Sequence, residues 1–133
     1  MASNIKHPKL NKLIHDALTY HALNIGVSHY NCDIIYMNEP NSLPNCTATM
    51  NVNRRYLNAE LRIFPSLVKA WKEKGDSYVE QVIAHEVAHI LTAHLYELGL
   101  VTYKEEGEMT DAWESLTEAI GRMSVKIDEL KKH

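Results

Sequence analysis

The sequence predicts an α+β fold, with a small antiparallel or mixed sheet packed on one long apolar helix and on a C-terminal helix that carries glutamates. Three observations lead there. Segments 47–53 and 56–64 read as short strands, the second mostly alternating apolar and polar, and the Asn53-Arg54-Arg55 turn between them suits a hairpin. Residues 78–98 are apolar round most of a helical circumference, and residues 111–131 repeat apolar positions at steps of three and four. At 133 residues the chain has the length of one domain, 1–133, with one core.

Taken in order, Leu10, Leu13, Ile14, Ala17, Leu18 and His21 mark an amphipathic helix that starts after Pro8, runs to about Asn24 and is ended by Gly26. Residues 32–37 (CDIIYM) are β-branched and aromatic, hence a strand, and the breaker-dense stretch 39–45 is a loop. Pro65 occupies the first turn of a short helix to Lys74, where its missing N–H costs nothing, and Gly75 closes it. Asp76 or Ser77 caps the long helix, whose left-handed terminator is Gly99. Beyond a polar connection with Glu105, Glu106 and Glu108, Thr110 caps the last helix. Its stripe of Trp113, Leu116, Ile120, Met123, Ile127 and Leu130 is expected to face the core.

Composition excludes several functions. With 45% apolar and 23% charged residues the chain is neither disordered nor strongly charged. Fourteen Lys and Arg against 17 Asp and Glu, with no long block of either sign, argue against nucleic-acid binding. Cys32 and Cys46 form neither a disulfide framework nor a CxxC knuckle and read as reduced thiols. The first thirty residues hold no continuous apolar stretch, and nowhere do 18 apolar residues run together, so a cytoplasmic protein without membrane segment or sequon use at Asn45 is expected.

The unusual component is histidine, eight in all. In the long helix stands His85-Glu86-Val87-Ala88-His89. Residues four apart lie one turn above each other, so both imidazoles project from one face and can share a zinc ion. Glu86, 100° round the helix, reaches a metal-bound water without ligating the metal. Composition alone yields about 0.04 such HExxH strings in a chain like this one. The apolar flanks Val82-Ile83-Ala84 and Ile90-Leu91 bury the motif, and burying two histidines and a glutamate without partners is costly.

A catalytic zinc normally has three protein ligands plus water. The metzincin continuation is excluded by Thr92 and Leu95; His94 lies about 140° away from His89, and the one later histidine is His133. A carboxylate is therefore favoured, from Glu105, Glu106, Glu108, Asp111, Glu114 or Glu118. Glu114 is chosen because an antiparallel helix brings it back to the metal, with Glu118 one turn on to accept the outer N–H of a zinc histidine. Glu108 and Glu118 remain alternatives as ligand. Gly121 continues that face and lets two helices approach closely. Tyr96 and Tyr103 are candidates for stabilising an oxyanion. Trp71 and Trp113 read as packing anchors, and His7, His15, His21 and His29 as scattered, solvated or capping residues.

The HExxH segment followed by Trp113-Glu114-Ser115-Leu116-Thr117-Glu118-Ala119-Ile120-Gly121-Arg122 resembles the small gluzincins, compact zinc-peptidase domains of phage and bacterial genomes, and its Glu-x-x-x-acid spacing is similar to that of thermolysin-like peptidases. The resemblance covers about the last 60 residues. It implies a zincin-like fold, zinc held by His85, His89 and Glu114, Glu86 as general base, and a host cytoplasm if the chain is phage-encoded. The chain departs from the thermolysin-like enzymes in lacking a second lobe and a placed counterpart of their downstream histidine. The expected function is hydrolysis of a peptide or protein substrate, held by strand addition near Asn58–Ile63. The alternative is a zinc-stabilised, non-catalytic binding protein, a phage-type modulator of a host factor.

Overall fold

The computed structural model describes residues 7–43, 45–102 and 106–131, and side chains outside 94–109. Four helices and three strands follow in the order α1 (Pro8–Ile25), β1 (Asn31–Tyr36), β2 (Ala48–Asn53), β3 (Asn58–Ile63), α2 (Pro65–Lys74), α3 (Asp76–Thr102) and α4 (Glu106–Lys131). The molecule is thus α+β with a mixed sheet. Strand order is β1-β3-β2, β1 parallel and β2 antiparallel to β3.

Local chemistry explains the boundaries. Gly26 ends α1 at φ +89°, a left-handed conformation without a Cβ penalty. Gly75 takes φ +88° and is the single residue between α2 and α3, so one helix follows the other without a loop. The β2–β3 hairpin closes through a 3-10 turn at Arg54–Tyr56, where the Asn53 side chain accepts from the Tyr56 N–H. In β3 the alternation anticipated from sequence buries Ala59, Leu61 and Ile63 on the helical side and leaves Asn58 exposed on the other. The core gathers these with Leu10, Ile14, Leu18, Leu67, Val79, Ile83, Val87 and Ile90, so α1 and α3 lie over one face of the sheet. Among the described residues no helix is long and apolar enough to cross a membrane.

Four expectations are corrected. Gly99 does not terminate α3, which continues to Thr102; Leu100 and Val101 keep helix-competent sequence beyond it, and an interior glycine costs only about 1 kcal/mol. Thr110 does not cap α4, which starts at Glu106 with acidic residues in a first turn whose dipole favours them. Strand addition at Asn58–Ile63 has no free edge to use, because β3 is the central strand and is paired along both sides. Finally, beyond Trp113 the stripe from Leu116 to Leu130 does not face the core. Leu116, Met123, Ile127 and Leu130 are exposed, and α4 instead buries Thr117, Gly121, Ser124 and Asp128.

Candidate metal centre

The inner face of α4 explains that inversion. A Cβ on Gly121 would stand 3.0 Å from the His85 backbone N and 3.1 Å from Ala84 C, so the two helix backbones touch there and only a small side chain fits. Thr117 and Thr92, both fully buried, join their hydroxyls at 2.8 Å one turn away. Close approach of α3 and α4 excludes large apolar residues from this contact. It also brings α4 carboxylates onto the HExxH turn.

His85 and His89 project from α3 with ring centroids 4.8 Å apart and planes at 82°. Glu114 reaches across from α4, its Oε2 3.1 Å from His85 Nε2 and its Oε1 3.2 Å from His89 Nε2. One ligand atom from each of the three residues lies within 4.8 Å of the others. Donors of a tetrahedral ion with bonds of about 2.0–2.1 Å lie about 3.3 Å apart, so a small inward movement of the three side chains would enclose zinc. Glu118 Oε2 stands 2.5 Å from His85 Nδ1, the outer nitrogen, and Arg122 donates to the other Glu118 oxygen at 2.9 Å. That arrangement orients a ligating imidazole and fixes its tautomer.

Electrostatics agree with a cation site. Burial and then the neighbouring His85 push the His89 imidazole down to about 4, which keeps it in the neutral, ligating form. Glu86 is pushed up to about 8, by burial first and by the charge of Glu114 second. Burial raises the Glu118 carboxyl, but hydrogen bonds from Arg122 and His85 outweigh it and hold the group below the usual carboxylate range. Two carboxylates turned toward the His85 and His89 rings, with no Lys or Arg paired to Glu114 among the described residues, form a donor set that fits a divalent metal.

Of the residues singled out in the sequence, the structure brings His85, His89, Glu114 and Glu118 together beside Gly121, and Glu86 lies on the same turn of α3. Tyr103 lies outside the described residues, as do the side chains of Tyr96 and His94, so neither tyrosine is assigned a role.

Three features escaped the sequence reading. Trp113 is more than a packing anchor: its ring lies 4.5 Å from that of His89, and its Nε1 donates to Thr92 Oγ1 at 2.6 Å. A Trp four residues before a buried Thr on a glutamate-bearing helix was the available signal. Cys46, in the loop before β2, has its thiol pushed up by burial and secondarily by Glu86, which places it within electrostatic reach of that carboxylate. His21, read as scattered or solvated, is fully buried with Ser124 Oγ 2.6 Å from its Nδ1; its place among the apolar positions of α1 pointed that way.

No protein-family model matches the chain, and no curated protein or solved structure shows significant similarity to it.

Proposed function

We propose that the protein is a zincin-like, zinc-dependent peptidase. The observation that carries this reading is the division of labour within one helical turn. His85 and His89 converge with Glu114, while Glu86 stands between them in sequence and outside the donor set. A purely structural zinc site needs four protein ligands and no uncoordinated carboxylate beside them.

His85, His89 and Glu114 would hold the ion, which supplies Lewis acidity to polarise a scissile carbonyl and to acidify water toward neutrality. Glu86 accepts the proton of the attacking water and delivers it to the leaving amine, a task for which a carboxyl poised above its ordinary range is suited. Glu118, anchored by Arg122, holds the His85 ring while charge redistributes. For the substrate, the free main-chain edge nearest α3 belongs to β2. That strand pairs with β3 on one side, packs against α3, and follows the loop carrying Cys46, so an extended peptide added along 48–53 would run past Glu86.

The test is zinc analysis of purified wild type and Glu86→Gln alongside cleavage of a mixed peptide library. Both proteins are expected to hold about one zinc, and only wild type to cleave, with at least a hundredfold loss in the variant, the order of magnitude of general-base catalysis. Equal cleavage by Glu86→Gln removes the zincin mechanism. Zinc in both with cleavage in neither favours the zinc-stabilised binding protein.

A further inference from the structure

We propose that Trp113 is a positioning residue of the metal centre, an anchored aromatic wall that sets the ring of His89 as Glu118 sets that of His85; the inference rests on the zinc reading above. The two imidazoles are held by different chemistry. His85 presents Nδ1 to the Glu118 carboxylate at 2.5 Å, and Arg122 fixes that carboxylate in turn. His89 is buried, and among the described residues its Nδ1 has no hydrogen-bond partner. Its ring instead meets two others, that of His85 at 4.8 Å and the Trp113 indole at 4.5 Å with planes at 58°. A ligating histidine whose outer nitrogen has no acceptor keeps its orientation only through what packs on it.

The indole is itself fixed, and from the opposite helix. Its Nε1–H donates to Thr92 Oγ1 at 2.6 Å, and the hydroxyls of Thr92 and Thr117, both fully buried, lie 2.8 Å apart. The Thr92 hydroxyl donates to the Ala88 carbonyl at 3.2 Å, so the Trp113 N–H and the Thr117 O–H fill its two acceptor positions and the oxygen is saturated. Thr92 lies three residues past His89, so anchor and ligand share one face of α3. Trp113 immediately precedes Glu114, whose Oε1 is 3.2 Å from His89 Nε2. Consecutive residues of α4 therefore meet the same imidazole, one at its ring and one at its metal-binding nitrogen. An indole is a neutral neighbour. It aligns the ring without the added basicity that a carboxylate lends an imidazole, so His89 is the weaker donor of the pair and depends on alignment more than His85 does.

Zinc affinity of the full-length chain is measured by competition with a metal indicator, and donor geometry by the visible absorption of the Co2+-loaded protein. Trp113→Leu keeps an apolar side chain at the contact and removes the ring. It is expected to weaken zinc about tenfold or more, the effect of losing a partner that orients a ligand, and to shift the cobalt bands. Loss of packing alone would lower the melting temperature and leave those bands in place. Trp113→Phe, which keeps a ring and loses the Thr92 anchor, should recover part of the affinity. In Trp71→Phe, where Trp113 is the sole indole, emission should change with added zinc and saturate at about one equivalent, in step with the indicator; this measurement stands even where the leucine variant does not fold. A Trp113→Leu protein with wild-type affinity and cobalt bands overturns the proposal and leaves the zinc site intact. So does a Trp113→Phe protein no better than Trp113→Leu, and so does an indole emission indifferent to zinc that the indicator shows to be bound. A wild type that takes up no zinc removes the metal centre itself, and this inference with it.

Discussion

The protein sets histidine in two environments against the α3–α4 pair, and they differ in what surrounds the ring. His21 is sealed between α1, α3 and α4, with Ser124 Oγ 2.6 Å from Nδ1 and the Glu80 carboxylate 3.7 Å from Nε2. His85 and His89 instead direct their Nε2 atoms at one carboxylate on the half-exposed side of the helix pair. A hydroxyl beside a sealed imidazole satisfies a polar group that folding has buried, which is a stability device. Donors that converge from two helices on a point accessible from solvent leave room for a cation and a substrate. Histidine count alone does not separate these cases; convergence and access do.

The sharpest way to break this contrast is to remove one ring from each cluster. His89→Ala and Glu114→Ala are each expected to reduce zinc affinity by orders of magnitude, measured by competition with a metal indicator. His21→Ala should leave zinc affinity unchanged and cost about 2–4 kcal/mol in urea unfolding, from the cavity and the stranded Ser124 hydroxyl. Zinc loss in His21→Ala, or none in Glu114→Ala, would collapse the distinction.

Glu118→Gln tests how far the open cluster depends on its outer carboxylate. The amide keeps the shape but weakens the acceptor for His85 Nδ1–H, and zinc affinity should fall about 10–100-fold with the fold intact. Gly121→Ala probes the helix contact that both clusters share. Its new Cβ meets backbone 3.0 Å away, so α3 and α4 must separate by a few tenths of an ångström, at about 1–3 kcal/mol in denaturant unfolding and with weaker zinc binding.

The smallest effect is a pH slope confined to the open cluster of the metal-free protein. Glu86 is raised from 4.5 to about 8 by burial, so its contribution to stability is present below pH 4.5 and is lost as pH rises through 8. His89 is lowered from 6.5 to about 4, so its contribution is present above pH 6.5 and is lost as pH falls through 4. The two oppose each other between 4.5 and 6.5, and Glu86 acts alone above that. Stability of the chelated protein should therefore fall between pH 6.5 and 8, by at most about 1.4 kcal/mol per unit, and the slope should vanish in Glu86→Gln. A slope that survives the substitution places its source elsewhere.

At several boundaries, though not at Gly99 or Thr110, a short-range rule acted alone and the amino-acid sequence by itself determined the outcome. Pro8 and Gly26 bound α1, Pro65 and Gly75 bound α2, and the β2–β3 hairpin falls where the alternation and the Asn53 turn put it. The HExxH spacing put His85 and His89 on one face of α3, because a helix has one periodicity. Glu114, Glu118 and Gly121 were legible for the same reason, as residues on one side of a second helix. What only tertiary structure decided is which face of each element turns inward. Apolar periodicity in 113–130 pointed that stripe to the core. The helices instead meet through Gly121, Thr117 and Ser124, because bringing Glu114 to the histidines needs backbone contact that bulky side chains would prevent. The central position of β3 and the burial of His21 against Ser124, 103 residues away, likewise depend on partners distant in the chain. Helical and strand periodicities report the apolar face of an element, and only the packed neighbours determine whether that face is used inside the molecule or left outside it.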